Sequence, residues 1–122
     1  MANRSGASQG KALADKFRKM SKDAETAIEE GLQKGAFRVE RDAKINAPVD
    51  TGRMRASITT RLIKEDGNPV AEVGTNVSYA PLVEYGTSKK AARPFLFPAY
   101  NQNKDKIRKD IAAAVKKSLG LR

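Results

Sequence analysis

A single apolar stripe limits what this chain can become more than any other feature. Leu13, Phe17, Met20, Ala24, Ile28, Leu32, Ala36 (or Phe37), Val39 and Ala43 follow one another at intervals of three or four. That interval is the repeat of an α-helix with one apolar face. A helix over residues 11–46 is about 50 Å long at ~1.5 Å per residue. Such a rod exceeds the diameter of a 122-residue globule, so one end projects or the helix bends. Gly31 and Gly35 fall inside the pattern, and each weakens a helix by up to ~1 kcal/mol relative to alanine. They mark a kink or a close helix contact; charged neighbours exclude a membrane role for the pair. Asn46-Ala47-Pro48 ends the helix, because proline disfavours helical geometry in the residue before it.

Beyond Pro48 the period changes to two. In PVDTGRMRAS, Asp50 or Thr51 can cap a short helical turn. Along 56–63, Ile58, Thr60 and Leu62 alternate with Ser57, Thr59 and Arg61. Asp66-Gly67-Asn68-Pro69 is a turn. The return strand, 70–77, places Ala71, Val73, Thr75 and Val77 on one face, completing a hairpin. Tyr79–Gly86 reads as a short helix with Pro81 in its first turn and Gly86 as its left-handed stop. A loop follows over 87–93, and Pro94–Phe97 is extended and adds a third strand. Pro98 opens the last helix, 98–120. One face of it carries Tyr100, the stem of Lys104, Ile107, Ile111, Ala114 (or Val115) and Ser118 (or Leu119). The order predicts one α+β domain over 1–122: a flexible N-terminus (1–10), a long helix (11–46), a small antiparallel sheet with short helix and loop (47–97), and a C-terminal helix packed on one sheet face.

Composition narrows the chemistry. Apolar residues make up 39% and charged residues 31% of the chain, which is lean for a compact globule and favours a core completed by neighbouring subunits. Cysteine and histidine are both absent, so disulfides, thiolates, the usual general bases and the soft metal ligands are missing. The carboxylates Asp50, Glu65, Asp66, Glu72 and Glu84 show no paired spacing for acid–base or cation work. Gly74-Thr75 and Gly86-Thr87 are isolated pairs rather than phosphate loops. We expect no enzyme, cofactor or metal site. No apolar run has the length of a membrane span or signal segment, and the expected place of synthesis and assembly is the cytoplasm.

The net charge of +10 sits at the ends. Residues 1–22 carry six cations and one acid, and residues 104–122 carry seven and two, while the middle is neutral. Basic ends suit an acidic partner or a phosphate backbone. They equally suit a solvated helix face, since no aromatic residues interleave with the C-terminal run and no nucleic-acid motif is present. Residues 79–100 stand apart, holding five of the seven aromatic residues and three of the five prolines. That density makes either core or a rigid docking surface.

Three words carry a resemblance: APVDTGRMRASI (47–58), VGTNVSYAPLVEYGT (73–87) and ARPFLFPAY (92–100). In order and spacing, over roughly residues 40–120, they resemble the lambdoid-phage gene-product-ten-like tail-component family, also described as neck or tail-completion proteins. Met54 stands where leucine is usual, a conservative change, and residues 1–40 match only in being helical. The resemblance implies a non-enzymatic virion protein at the head–tail junction, assembled in the host bacterial cytoplasm. It implies a self-associating ring between head-completion or connector proteins and the tail-terminator or tail-tube proteins. A basic lumen in such a ring would attract genomic DNA without reading bases. Two other readings stay open: a small basic nucleic-acid-binding protein, and an assembly factor absent from the mature particle.

The residue expectations follow. Tyr79, Leu82 and Tyr85 are placed on one face of the short helix, and Phe95 and Phe97 on one strand face; these five divide between core and interface. Glu84 is a surface charge or the partner of Arg53, Arg55 or Arg93. Lys89, Lys90 and Arg93 form a loop suited to DNA or an acidic neighbour, or simply an exposed loop. Pro48, Asp50, Thr51, Gly52, Gly86, Pro94 and Pro98 are architectural.

Overall fold

The computed structural model describes residues 2–48 and 52–121. Its elements are α1 (Ala2–Asn46), α2 (Arg53–Ser57), β1 (Thr59–Glu65), β2 (Asn68–Gly74), α3 (Ala80–Tyr85) and α4 (Leu96–Ser118). The α+β class holds, with a long N-terminal helix, an antiparallel hairpin, a short helix and a C-terminal helix. Asp50 and Thr51, expected to cap the turn after the long helix, lie outside the described residues. Gly52 stands at the start of α2 with φ 72°, a left-handed conformation that glycine adopts without steric cost.

Several expectations change. Helix α1 begins at Ala2, so the polar lead-in is continuous with it. The third strand is absent: among the described residues the sheet has two strands, and the chain is already helical at Leu96. Pro98 therefore falls at the third helical position. The N–H groups of a first turn have no intrahelical partner, so proline there breaks nothing.

The hairpin is set by its turn. Asp66 and Gly67 both have positive φ, 50° and 80°, and Glu65 pairs directly with Asn68. Two consecutive left-handed residues make the turn whose twist matches that of its strands, and Asp-Gly is a preferred sequence for it. Asn68 and Pro69, expected in the turn, belong to β2. Leu62 opposes Ala71 and Thr60 opposes Val73. Ala71 and Val73 share an apolar crevice with Leu32, Ala36 and Val39 of α1.

Helix α4 returns antiparallel along α1 and packs chiefly on that helix rather than on the sheet. Leu96, Tyr100 and Ile107 of α4 line the crevice beside β2. The two helices approach closely at Gly31 and Gly35. A Cβ on Gly35 would lie 2.7 and 2.9 Å from the branched carbons of Ile107, and one on Gly31 would lie 2.7 Å from Ile111. The glycine pair is thus a close helix contact. Polar links follow the same seam: Arg38 donates to Asp110 at 2.8 Å, Asn103 to Asp42 at 2.8 Å, and Asn46 to the Phe95 carbonyl at 3.3 Å. The Asn103 amide, and then Arg41, hold the Asp42 carboxyl below the usual aspartate range. Arg38, assisted by Lys106, does the same for Asp110.

The core is small. It joins Val39, Ala43 and Ala47 of α1 to Met54, Ile58, Ala80, Phe95 and Ala99, and among the described residues its largest fully buried side chains are Phe95 and Ile58. Helix α4 ends at Ser118, beside Asp23, Thr26 and Ala27 of α1. Before that point no described element covers α1, and residues 8–19 are all exposed. The accessible surface is 9115 Å² for 13.3 kDa, where a compact monomer of that mass exposes roughly 6,500 Å².

Candidate docking surface

The segment 79–100 is organised by one carboxylate. Glu84, on the last turn of α3, accepts hydrogen bonds from the backbone N–H groups of Phe95 (3.4 Å), Leu96 (2.9 Å) and Phe97 (3.4 Å). These are orphan donors at the start of α4, where no local side chain caps the helix. A negative charge at a helix N-terminus is stabilised by those amides and by the helix dipole. Glu84 is therefore a cap supplied from another element rather than an unengaged surface charge. Of the arginines considered as its partners, Arg55 reaches the Ala47 carbonyl at the end of α1, at 3.5 Å. Arg93 joins α3 through its backbone, donating to the Val83 carbonyl at 2.8 Å.

With the carboxylate fixed, the aromatic residues divide. Phe95 is 1% exposed and closes the core. Tyr79 and Val83 are half-buried against it. Leu82, Tyr85 and Phe97 face outward, at 57%, 81% and 63% exposure. The expected shared face of Tyr79, Leu82 and Tyr85 does not form. Steps of three on a helix drift by about 60° each, so Ala80 and Val83 take the inward side and Tyr85 swings away. Phe95 and Phe97 also separate, because residues two apart share a face in a strand but not in a helix.

The loop after α3 is anchored at both ends. Gly86 has φ 78° and ψ 176°, a region open essentially to glycine alone. A Cβ there would lie 2.6 Å from the Ala92 amide nitrogen. The Thr87 hydroxyl accepts from the N–H groups of Lys89 and Lys90, at 3.2 and 3.0 Å, and the Thr87 N–H donates to the Lys90 carbonyl. Lys89, Lys90 and Arg93 are all exposed on this tied loop. Pro94 is exposed where the loop enters α4, and Pro48 is half-buried after α1. A shallow recess of about 250 Å³ lies between Thr75, Pro81, Glu84 and the outward Tyr85.

The result is an apolar and cationic surface tied together by backbone hydrogen bonds. Among the described residues no cluster of acids could hold a metal ion, and no helix is long and apolar enough to cross a membrane. Sequence reasoning missed the Glu84 cap and the buried Asn103–Asp42 pair. A glutamate twelve residues before a helix start gives no local capping signal.

No curated protein and no solved structure matches the chain. A family model does, over residues 11–86, described as "Bacteriophage HK97-gp10, putative tail-component". The match takes in the long helix from Lys11, which the sequence words left aside, and stops before ARPFLFPAY. It covers more than half of the chain, which therefore belongs to the HK97-gp10-like family of bacteriophage tail components.

Proposed function

We propose that the chain is a non-catalytic structural part of a tailed-phage neck, repeated in a ring between head connector and tail and surrounding the DNA channel. The observation that carries this reading is the outward exposure of Leu82, Tyr85 and Phe97 on two helices tied together by Glu84. A fixed aromatic surface gives contact area at low entropic cost, and the large exposed area of the chain calls for such contacts. Head-completion or connector proteins on one side and tail-terminator or tail-tube proteins on the other are the partners. Lys89, Lys90 and Arg93 supply non-specific attraction for passing DNA.

Mass spectrometry of purified particles, combined with labelling of the chain, tests the placement. The expected result is a virion protein at the neck, with separate filled heads and tails accumulating when its gene is removed. Absence from mature particles would make it an assembly factor, and label along the tail shaft would also overturn the neck. For the loop, alanine at Lys89, Lys90 and Arg93 should weaken DNA binding and flatten its dependence on salt. An unchanged slope removes DNA from the partners.

A further inference from the structure

Helix α1 is divided by charge as well as by packing. Its projecting part holds Lys11, Lys16, Arg18, Lys19 and Lys22 against the single acid Asp15, paired to Arg18. Immediately after come Asp23, Glu25, Glu29 and Glu30 with no cation among them. On the projecting part, Leu13 and Phe17 are 52% and 58% exposed. They continue the stripe that α4 covers further along, and no described element lies over them. Lys16 and Arg18 flank Phe17 at about 100° to either side.

A matching surface lies elsewhere on the same molecule. Between α1 and the hairpin is an apolar crevice of about 260 Å³ lined by Leu32, Leu62, Ile63, Pro69 and Val70, with Glu29 at its rim. Glu25 lies one turn before Glu29, and Glu65 and Asp66 form the adjoining hairpin end. Lys64, bonded to Glu29 at 3.4 Å, is the one cation lining the crevice among the described residues. Leu62 is 48% exposed there. The two surfaces cannot meet within one chain. Leu32 and Phe17 ride on the same helix, about 22 Å apart at ~1.5 Å per residue.

We infer that the projecting helix of one copy docks, through Leu13 and Phe17, in the crevice between α1 and the hairpin of the next copy, with Lys16 and Arg18 set against Glu25, Glu29 and Glu65. The occupant is a second copy because apolar shape and charge both match. The contact is head to tail, since the two surfaces differ, and a repeated head-to-tail contact makes a ring when its rotation closes. This rests on the ring reading in that copies must adjoin, and it names the surfaces that do so.

The absence of cysteine gives a clean chemical test. A chain carrying Phe17→Cys and Leu62→Cys is supplied alongside the natural chain so that particles form, and the particles are treated with a short bismaleimide. The expected result is a ladder of dimers, trimers and higher multimers on a denaturing gel, with no multimers from Phe17→Cys alone. Adding Lys16→Glu and Arg18→Glu should reduce the ladder about tenfold through like-charge contact, and Glu25→Lys with Glu65→Lys should restore it. No ladder in particles that contain the variant overturns the inference. So does a dimer from Phe17→Cys alone, or a ladder indifferent to the charge changes. Failure of the ring reading is read separately, from labelling that puts the chain away from the neck.

Discussion

The two halves of α1 share one repeat and have opposite fates. From Gly31 to Ala47 the stripe is covered by α4 and the hairpin, and Val39, Ala43 and Ala47 are buried to 5%, 0% and 2% exposure. From Ser8 to Lys19 the same stripe faces outward. What separates them is the length of α4, which stops beside Asp23 and Ala27. Periodicity thus identifies which face of a helix is apolar but not what covers it. The bulky residues Leu13 and Phe17 lie in the bare half, while the packed half relies on glycine and alanine for close approach. A chain built to fold alone would place its bulk the other way round, because bulky apolar groups yield most when buried.

The sharpest break in that comparison is Phe95→Ala set against Phe17→Ala. Phe95 is the largest fully buried side chain, and its loss should cost about 3–5 kcal/mol in denaturant unfolding. Next comes Glu84→Ala, which leaves the first N–H groups of α4 without their acceptor and should cost about 1–3 kcal/mol. Glu84→Gln, which removes the charge but keeps an acceptor, should cost less, and faster amide exchange at Phe95 to Phe97 would locate either effect. Third, Gly35→Ala presses a methyl on stiff, β-branched Ile107 and should destabilise by about 1–2 kcal/mol after the gain in helix propensity. Gly10→Ala, with nothing within 4 Å of its new Cβ, should stabilise by up to ~1 kcal/mol. Opposite signs for one substitution in one helix would confirm the division.

The acid limb of stability follows from the seam. Asp42 and Asp110 both titrate below the ordinary aspartate value, so the folded chain keeps them charged where the unfolded chain binds protons. Their contribution is complete above about pH 4 and fades as pH falls through the depressed values. Asp42→Asn should flatten that decline in a melting-temperature series. The smallest effect belongs to the bare half: Phe17→Ala should change monomer stability by less than about 0.5 kcal/mol. A cost comparable to that of Phe95→Ala would mean that the projecting helix packs on its own chain.

Much of the fold was legible because its signals are local. Stripe, proline and glycine stops, and the Asp-Gly turn each act within a few residues. The candidate surface was only half legible. Its segment stood out by aromatic and proline density, but the division between Phe95 and Phe97 depends on where α4 begins. That start is fixed by Glu84, from the neighbouring helix, so reading outward from Pro98 placed it two residues late and produced a false strand. Burial of Asn103 was equally hidden, since its partner Asp42 is 61 positions away. In both cases a polar side chain finds its partner only after the chain has folded back.

The hairpin carries one more consequence, at Pro69. Because Glu65 and Asn68 close the turn as a bonded pair, the next pair, Lys64 and Pro69, turns its backbone groups away from the partner strand. On that outer rim of β2, a strand arriving from another molecule would find a missing donor and a bulky ring where it needs an amide. Sheet-to-sheet polymerisation through this rim is therefore interrupted near its end. Contacts made at that end rest on side chains, whose shape and charge select a partner, rather than on backbone, which accepts any.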